Sequence, residues 1–234
     1  MSFVTTEEQA DGVRVLRIDN GKPNAVSTEL ANELIDALEV ADKDADVKAI
    51  VIAGSPGMFS AGFDLGTMAK GPAAANEMVK AGGRLGLAVY YHAKPVVAAC
   101  GGHAIAMGVF LTMVCDYRVG ARGSFKLGAN ETAIGMTLPT FGVEFARAAL
   151  SKRHFDRAIV QSTIYDPQGA VDAGMLDEIV DPEEVEPKAI EVAARLGALR
   201  QPAFRNNKRL VRAPTYELIS STLEENVDRL MPNA

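Results

Sequence analysis

The chain has no tryptophan, two cysteines, three histidines and 6% aromatic residues among its 234. Each scarcity removes a class of protein. Cys100 and Cys115 both sit beside apolar residues, as buried free thiols do. Two such residues supply neither a disulfide framework nor zinc spacing. His92, His103 and His154 are too scattered for a metal site, which leaves them structural roles. There is no excess of positive charge: net charge is −6 and the pI is near 5.2, so nucleic acid is not an expected partner. Long hydrophobic runs are missing too. The longest, Ala104 to Cys115, is too short to span a bilayer and holds Gly108 and Thr112. The start, MSFVTTEEQADG, is acidic and polar and has no signal-peptide shape. The expectation is a soluble cytoplasmic protein with no metal and no membrane partner.

What is present is ordinary globular composition, 48% hydrophobic and 23% charged. The length suits one large domain, or one with a small appendage, and buries a core unaided. Val13 to Ile18 is β-rich and ends at Asp19-Asn20-Gly21, a turn signal. Ser27 can cap a helix in which Leu30, Leu34, Ala37, Leu38 and Ala41 recur at helical spacing. Ala49 to Ala53 and Val96 to Cys100 are continuous apolar runs, the mark of strands buried on both faces. Gly54 to Asp64 reads as a loop, Ala73 to His92 as a helix, and Gly101-Gly102-His103 as a turn. A helix from about Gly108 to Val114 and a short strand at Tyr117–Val119 follow. Further helices are expected at Phe141–Leu150 and from Phe155, then from Asp166-Pro167 to Gly174. Glu178 to Val180 is strand-like. The remainder is helical, with Pro202 and Pro214 as breaks. Buried strands alternating with helices, then helices alone, give a mainly parallel α/β core with a helical tail.

Chemistry is suggested first by Leu127 to Pro139, LGANETAIGMTLP, where Glu131 is the one charged residue between Lys126 and Glu144. Such an acid either faces solvent from a loop or is buried enough for its pKa to rise, so that it works as a general base near neutral pH. Two strand-to-helix junctions of small residues stand out as well, at Met58–Leu65 and Gly101–Gly108. Backbone N–H groups at such junctions are unpaired. Two aimed at one point would form an oxyanion hole. Taken singly, each junction reads first as a tight turn.

FSAGFDL at 59–65, KPVVAACGGHAIAMG at 94–108, CDYRV at 115–119, Glu131 and AVDAGMLDEIV at 170–180 together resemble the crotonase (enoyl-CoA hydratase/isomerase) superfamily. The resemblance runs from about Val13 to Pro187. It implies a ββα spiral core over residues 1–187 and a C-terminal helical region, 188–234, used in trimerisation. It implies an acyl-CoA thioester as substrate, with coenzyme A part of that substrate and no other cofactor, and a homotrimer or a dimer of trimers. By motif position the oxyanion-hole N–H groups belong to Phe63 and Met107. Ala106-Met107 stands where the family usually has Gly-Gly, and a side chain on Met107 narrows the approach.

The family's hydratases use two glutamates. One falls at Phe110 here and the other at Glu131, so one acid is kept and one is lost. Phe110 cannot orient a water molecule. One carboxylate suffices to move a proton from C2 to C4 of a 3-enoyl thioester. Mitochondrial-type Δ3,Δ2-enoyl-CoA isomerases resemble this chain in an apolar residue at the first acid position, in the following CDYR and in Asn-Glu-Thr, here Asn130-Glu131-Thr132. The resemblance thus favours an isomerase over a hydratase. Other crotonase reactions, such as thioester hydrolysis or decarboxylation, and a non-catalytic acyl-CoA-binding protein are the alternatives. Phe110, Ile134 and Met136 would line the site, raise the pKa of Glu131 and exclude water. Lys22 and Ala25 resemble the family's CoA-contacting loop, and Ala61, Asp64 and Leu65 its adenine-binding turn. Lys208 and Arg212 belong to a late basic cluster that serves either CoA phosphates or a solvated helix face. Glu144 and Arg147 read as a surface pair, with Glu144 the fallback base. Asp116 and Arg118 are expected to pair with each other.

Overall fold

The structure is a computed structural model that describes residues 2–21 and 23–230, with the Leu230 side chain left aside. The chain begins with an antiparallel hairpin of β1 (Val4–Glu8) and β2 (Val13–Ile18), followed by α1 (Thr28–Lys43). Ser27 caps α1, its Oγ accepting from Leu30 N at 3.2 Å. Ser27→Ala is expected to lower stability by about 1 kcal/mol, read in denaturant unfolding. Next come β3 (Ala49–Ala53), β4 (Gly57–Ser60), α2 (Leu65–Met68) and α3 (Pro72–Tyr90). Then come β5 (Val96–Cys100), β6 (Gly102–Ile105) and α4 (Met107–Met113). β7 (Tyr117–Ala121) and β8 (Leu127–Gly128) precede α5 (Thr140–Ala149), α6 (Lys152–Ile159) and α7 (Pro167–Ala173). The chain closes with β9 (Glu178–Val180), α8 (Val185–Gly197) and α9 (Gln201–Leu230).

Among the described residues the strands form a six-stranded sheet, β1-β2-β3-β5-β7-β9, and a three-stranded sheet, β4-β6-β8. Every pairing after the first hairpin is parallel. From β3 to β8 each turn of chain lays one strand in the large sheet and the next in the small one, then returns through helix. This is the ββα spiral. The central strands β2, β3 and β5 of the large sheet are buried on both faces, and period-two alternation divides their side chains between them. Leu16, Ile18, Ile50, Ile52, Val96 and Ala98 face one core. Val13, Val15, Val51, Val97 and Val119 face the other, against Val185, Ala189, Val192 and Ala193 of α8. The division at 187/188 therefore falls inside a helix packed on the sheet, and the helix beyond the sheet-packed α8 is α9.

The small sheet departs from expectation. Gly54–Asp64 contains β4, and Gly102 and His103 open β6 rather than forming a turn. Of the glycines read as turn signals, Gly102 is there for close approach: a Cβ on it would stand 2.0 Å from the Gly57 carbonyl carbon. The prolines of the tail do not break it either. Pro202 lies in the first turn of α9, where no N–H is needed. Pro214 sits inside α9 on its exposed side, where water can take the carbonyl it leaves unpaired.

α9 is tied to the body by buried charge. Asp116 accepts from Lys208 Nζ at 2.7 Å and from Val96 N at 2.8 Å, and pairs with Arg212 at 3.0 Å. Arg212 also donates to Tyr90 O at 2.6 Å. Asp116 and Arg118 do not pair. Asp116 precedes β7 and turns back over the start of β5, where α9 delivers two cations. Arg118 lies within β7 and pairs with Asp177, just before β9, at 2.8 Å. This arrangement replaces both alternatives held open for Lys208 and Arg212, CoA phosphates and a solvated helix face. Both are committed to Asp116, and the Lys208 side chain is 4% exposed.

Candidate active site

The small sheet positions the site. β4 and β6 run side by side, and the chain leaves their adjacent ends at Ala61 and Ala106. Val26 bridges the first exit: its N–H donates to Gly62 O at 2.8 Å and its carbonyl accepts from Asp64 N at 3.1 Å. That pattern uses the groups on either side of Phe63 and turns the Phe63 N–H away from Val26. Met107 opens α4, so its N–H is one that the helix cannot satisfy. Neither amide has a hydrogen-bond acceptor among the described residues. The two exits touch: a Cβ on Gly62 would lie 2.8 Å from Ala106 Cβ and 3.4 Å from Met107 N. Ala106 holds φ 51°, ψ −125°, a region suited to glycine, which stores on the order of 1–3 kcal/mol of strain at this junction.

The third strand brings the acid. β8 pairs with β6, and Ala106 N donates to Gly128 O at 3.0 Å. The loop beyond it is held tightly. The Glu131 carbonyl accepts from Ile134 N at 3.1 Å and Met136 N at 2.9 Å. Thr132 Oγ1 donates to Ile159 O at 3.1 Å, and Ala133 N donates to Ser162 Oγ at 3.1 Å. Glu131 is 8% exposed and its Oε2 is buried without a hydrogen-bond partner among the described residues. Burial pushes its carboxyl up to about 7. Of the two readings open at the level of sequence, solvent-facing and buried, the structure has the buried one.

Glu131 and both exits border one cavity of about 880 Å³. Ala61, Phe63, Asp64, Leu65, Phe110, Ile134 and Met136 line it too, so most of the residues singled out in the sequence come together. Several details differ from expectation. Ala25 does not line the cavity; it is buried, its carbonyl accepts from Asn20 Nδ2 at 2.6 Å, and Pro23 faces the cavity instead. Lys22 lies outside the described residues. The Met107 side chain does not narrow the approach. It is fully buried and turns toward α3, its Sδ 3.4 Å from where a Gly82 Cβ would stand. Ile134 is 60% exposed at the mouth and cannot keep water from Glu131. Phe110, 2% exposed, can.

Among the lining carboxylates Asp64 is engaged, accepting from Thr67 N at 2.6 Å to cap α2. Glu144 pairs with Arg147 at 3.2 Å and does not line the cavity. Each histidine has a structural partner: His92 with Leu38 O, His103 with Lys126 N and His154 with the Tyr165 hydroxyl. No group of three potential metal-ligating residues occurs among the described residues. The sequence reading missed Val79, Leu138, Phe141 and Val227, which also line the cavity. They come from separate segments, and their one signal, an apolar position on a helix face or in a loop, is shared with every core residue.

The chain's likeness to known proteins agrees with this geometry. A sequence model of the enoyl-CoA hydratase/isomerase family matches residues 8–229. The mitochondrial enoyl-CoA delta isomerase 1 of Mus musculus is 30% identical over 228 residues, covering 96% of this chain and 78% of that one. A crystal structure of an enoyl-CoA hydratase/isomerase family protein from Pseudomonas syringae has a TM-score of 0.93 at 36% identity, covering 97% of this chain and 98% of that chain. An enoyl-CoA hydratase from Mycobacterium marinum gives a TM-score of 0.91 at 35% identity, covering 98% of this chain and 99% of that chain. Isomerase and hydratase both stand among these neighbours, so likeness alone does not choose the reaction.

Proposed function

From the premise that the chain belongs to the enoyl-CoA hydratase/isomerase family, we propose that it converts 3-enoyl-CoA to 2-trans-enoyl-CoA with Glu131 as the sole acid and base. The observation that carries this reading is one buried carboxylate, its Oε2 without a partner among the described residues, facing a cavity in which the position of a second acid is held by Phe110. Glu131 takes a proton from C2 of the thioester. The electron pair moves toward the carbonyl, and the thioester oxygen gains charge between the N–H groups of Phe63 and Met107. Each donor is worth roughly 3 kcal/mol to that oxyanion. The protonated Glu131 then returns the proton at C4, and the double bond settles between C2 and C3. Atoms balance without water or another reactant. Hydration would need a second polar group to orient water, and Phe110 has none to offer.

Raising the carboxyl to about 7 suits this work, because a base and its conjugate acid must both form readily at neutral pH. The base must be ionised to start the reaction. kcat/KM for a 3-enoyl-CoA is therefore expected to fall about tenfold per pH unit well below 7 and to level off above it. A midpoint near the ordinary glutamate value, in a profile followed by formation of the conjugated thioester, would exclude Glu131 as the base or its burial in solution.

A homotrimer belongs to the same reading. Leu210, Val211 and Leu218 point outward from α9, 76%, 79% and 44% exposed, an apolar stripe that a neighbouring copy would cover. Light scattering on the eluted protein tests it directly.

A further inference from the structure

The cavity lining divides by burial into a mouth and a floor. Leu65 and Ile134 at the mouth are 78% and 60% exposed. Val79, Phe141 and Val227 are 4%, 2% and 1% exposed, and they meet from three different helices, α3, α5 and α9. None of the three carries a polar side-chain atom.

The floor is also fixed in place. The turn of α9 that bears Val227 is clamped on both sides. Lys80 of α3 pairs with Glu224 at 3.2 Å and Asp228 at 2.8 Å, and Arg84 pairs with Glu224 at 2.9 Å. Thr140 N donates to Asn226 Oδ1 at 2.7 Å, tying the same turn to α5. Gly83 lets the helices close up: a Cβ there would stand 2.5 Å from Leu223 Cδ1 and 3.0 Å from Phe141 Cδ1.

We propose that Val79, Phe141 and Val227 form a stop for the acyl tail, with the C-terminal helix setting its length. The protein then takes plain hydrocarbon tails up to a fixed length and rejects tails that end in a hydroxyl or carboxylate. A polar end group at this floor would be buried with nothing to bond. The inference rests on the acyl-CoA reading of the cavity, but it does not require isomerisation.

The test therefore uses saturated straight-chain acyl-CoAs of increasing length, which cannot be isomerised, with binding followed by calorimetry. Affinity for the wild-type protein should rise about fourfold per methylene and then break at one length. Val227→Ala should move the break to a longer chain, and Val227→Phe to a shorter one. An acyl-CoA with a terminal hydroxyl should bind about a hundredfold more weakly than the methyl-ended chain of equal length. If Val227→Ala folds poorly, Val79→Ala, from α3, should lengthen the limit in the same way. An unmoved break in the folded variants, equal binding of the hydroxylated tail, or no acyl-CoA binding at all overturns the proposal. A break that moves, in a protein that leaves 3-enoyl-CoA unchanged, upholds the stop and removes the isomerase reading.

Discussion

Glu131→Gln is expected to lose at least about a thousandfold in isomerisation and to gain stability at alkaline pH. Both effects have one cause. The carboxyl is held at about 7 against an ordinary 4.5 because burial penalises its charged form. Between those two values the folded protein keeps a proton that the unfolded chain releases. Stability therefore falls as pH rises through that window, and above 7 the folded state carries the whole penalty of a buried charge. The difference is worth about 3 kcal/mol. An amide has no such penalty, although its own N–H donors must then find acceptors in a buried site. The net gain at pH 8 is then on the order of 2 kcal/mol. At pH 5 the wild-type group is protonated in the fold and the gap should nearly close. Denaturant unfolding at pH 8 and pH 5 reads the stability, and the rate of conjugated thioester formation reads the activity. A variant that isomerises like wild type, or one less stable at both pH values, contradicts the reading.

Asp116→Ala is expected to destabilise the protein by about 3–5 kcal/mol. It would leave Lys208 and Arg212 in a nearly dry site without their anion, and the Val96 N–H without its acceptor. Desolvation already pulls the Lys208 ammonium below its ordinary value, and Asp116 opposes that pull. The loss should loosen the first half of α9, because that part of the helix reaches the body through these cations. Limited proteolysis should then cut within α9 before the spiral core. Lys208→Ala should be milder, since Asp116 keeps Arg212 and the Val96 N–H. The reverse ranking in urea unfolding would mean that the aspartate is not the hub of the cluster.

What sequence alone settles here is local. Apolar runs at Ala49–Ala53 and Val96–Cys100 are buried strands because nothing polar in them could face water. Ser27 and Asp166 begin helices because their oxygens bond the first free N–H groups. Gly174 ends one because it takes a left-handed φ of 97°. The motifs around Phe63, Met107, Phe110 and Glu131 named the family and several residues that line the cavity, since each reports a backbone exit or a side chain whose identity limits the chemistry. Tertiary structure decided the rest. β4 was hidden because it opens on Gly57, which takes a turn-type φ of 78°, and β6 because Gly102 serves contact between strands distant in sequence, and a turn uses the same residue. Asp116 found Lys208 and Arg212 rather than Arg118 because α9 folds back over β5, which no local pattern encodes. The state of Glu131, the direction of the Met107 side chain and the floor at Val227 depend on which helices close around them. Burial sets all three, and burial is a property of the assembled chain.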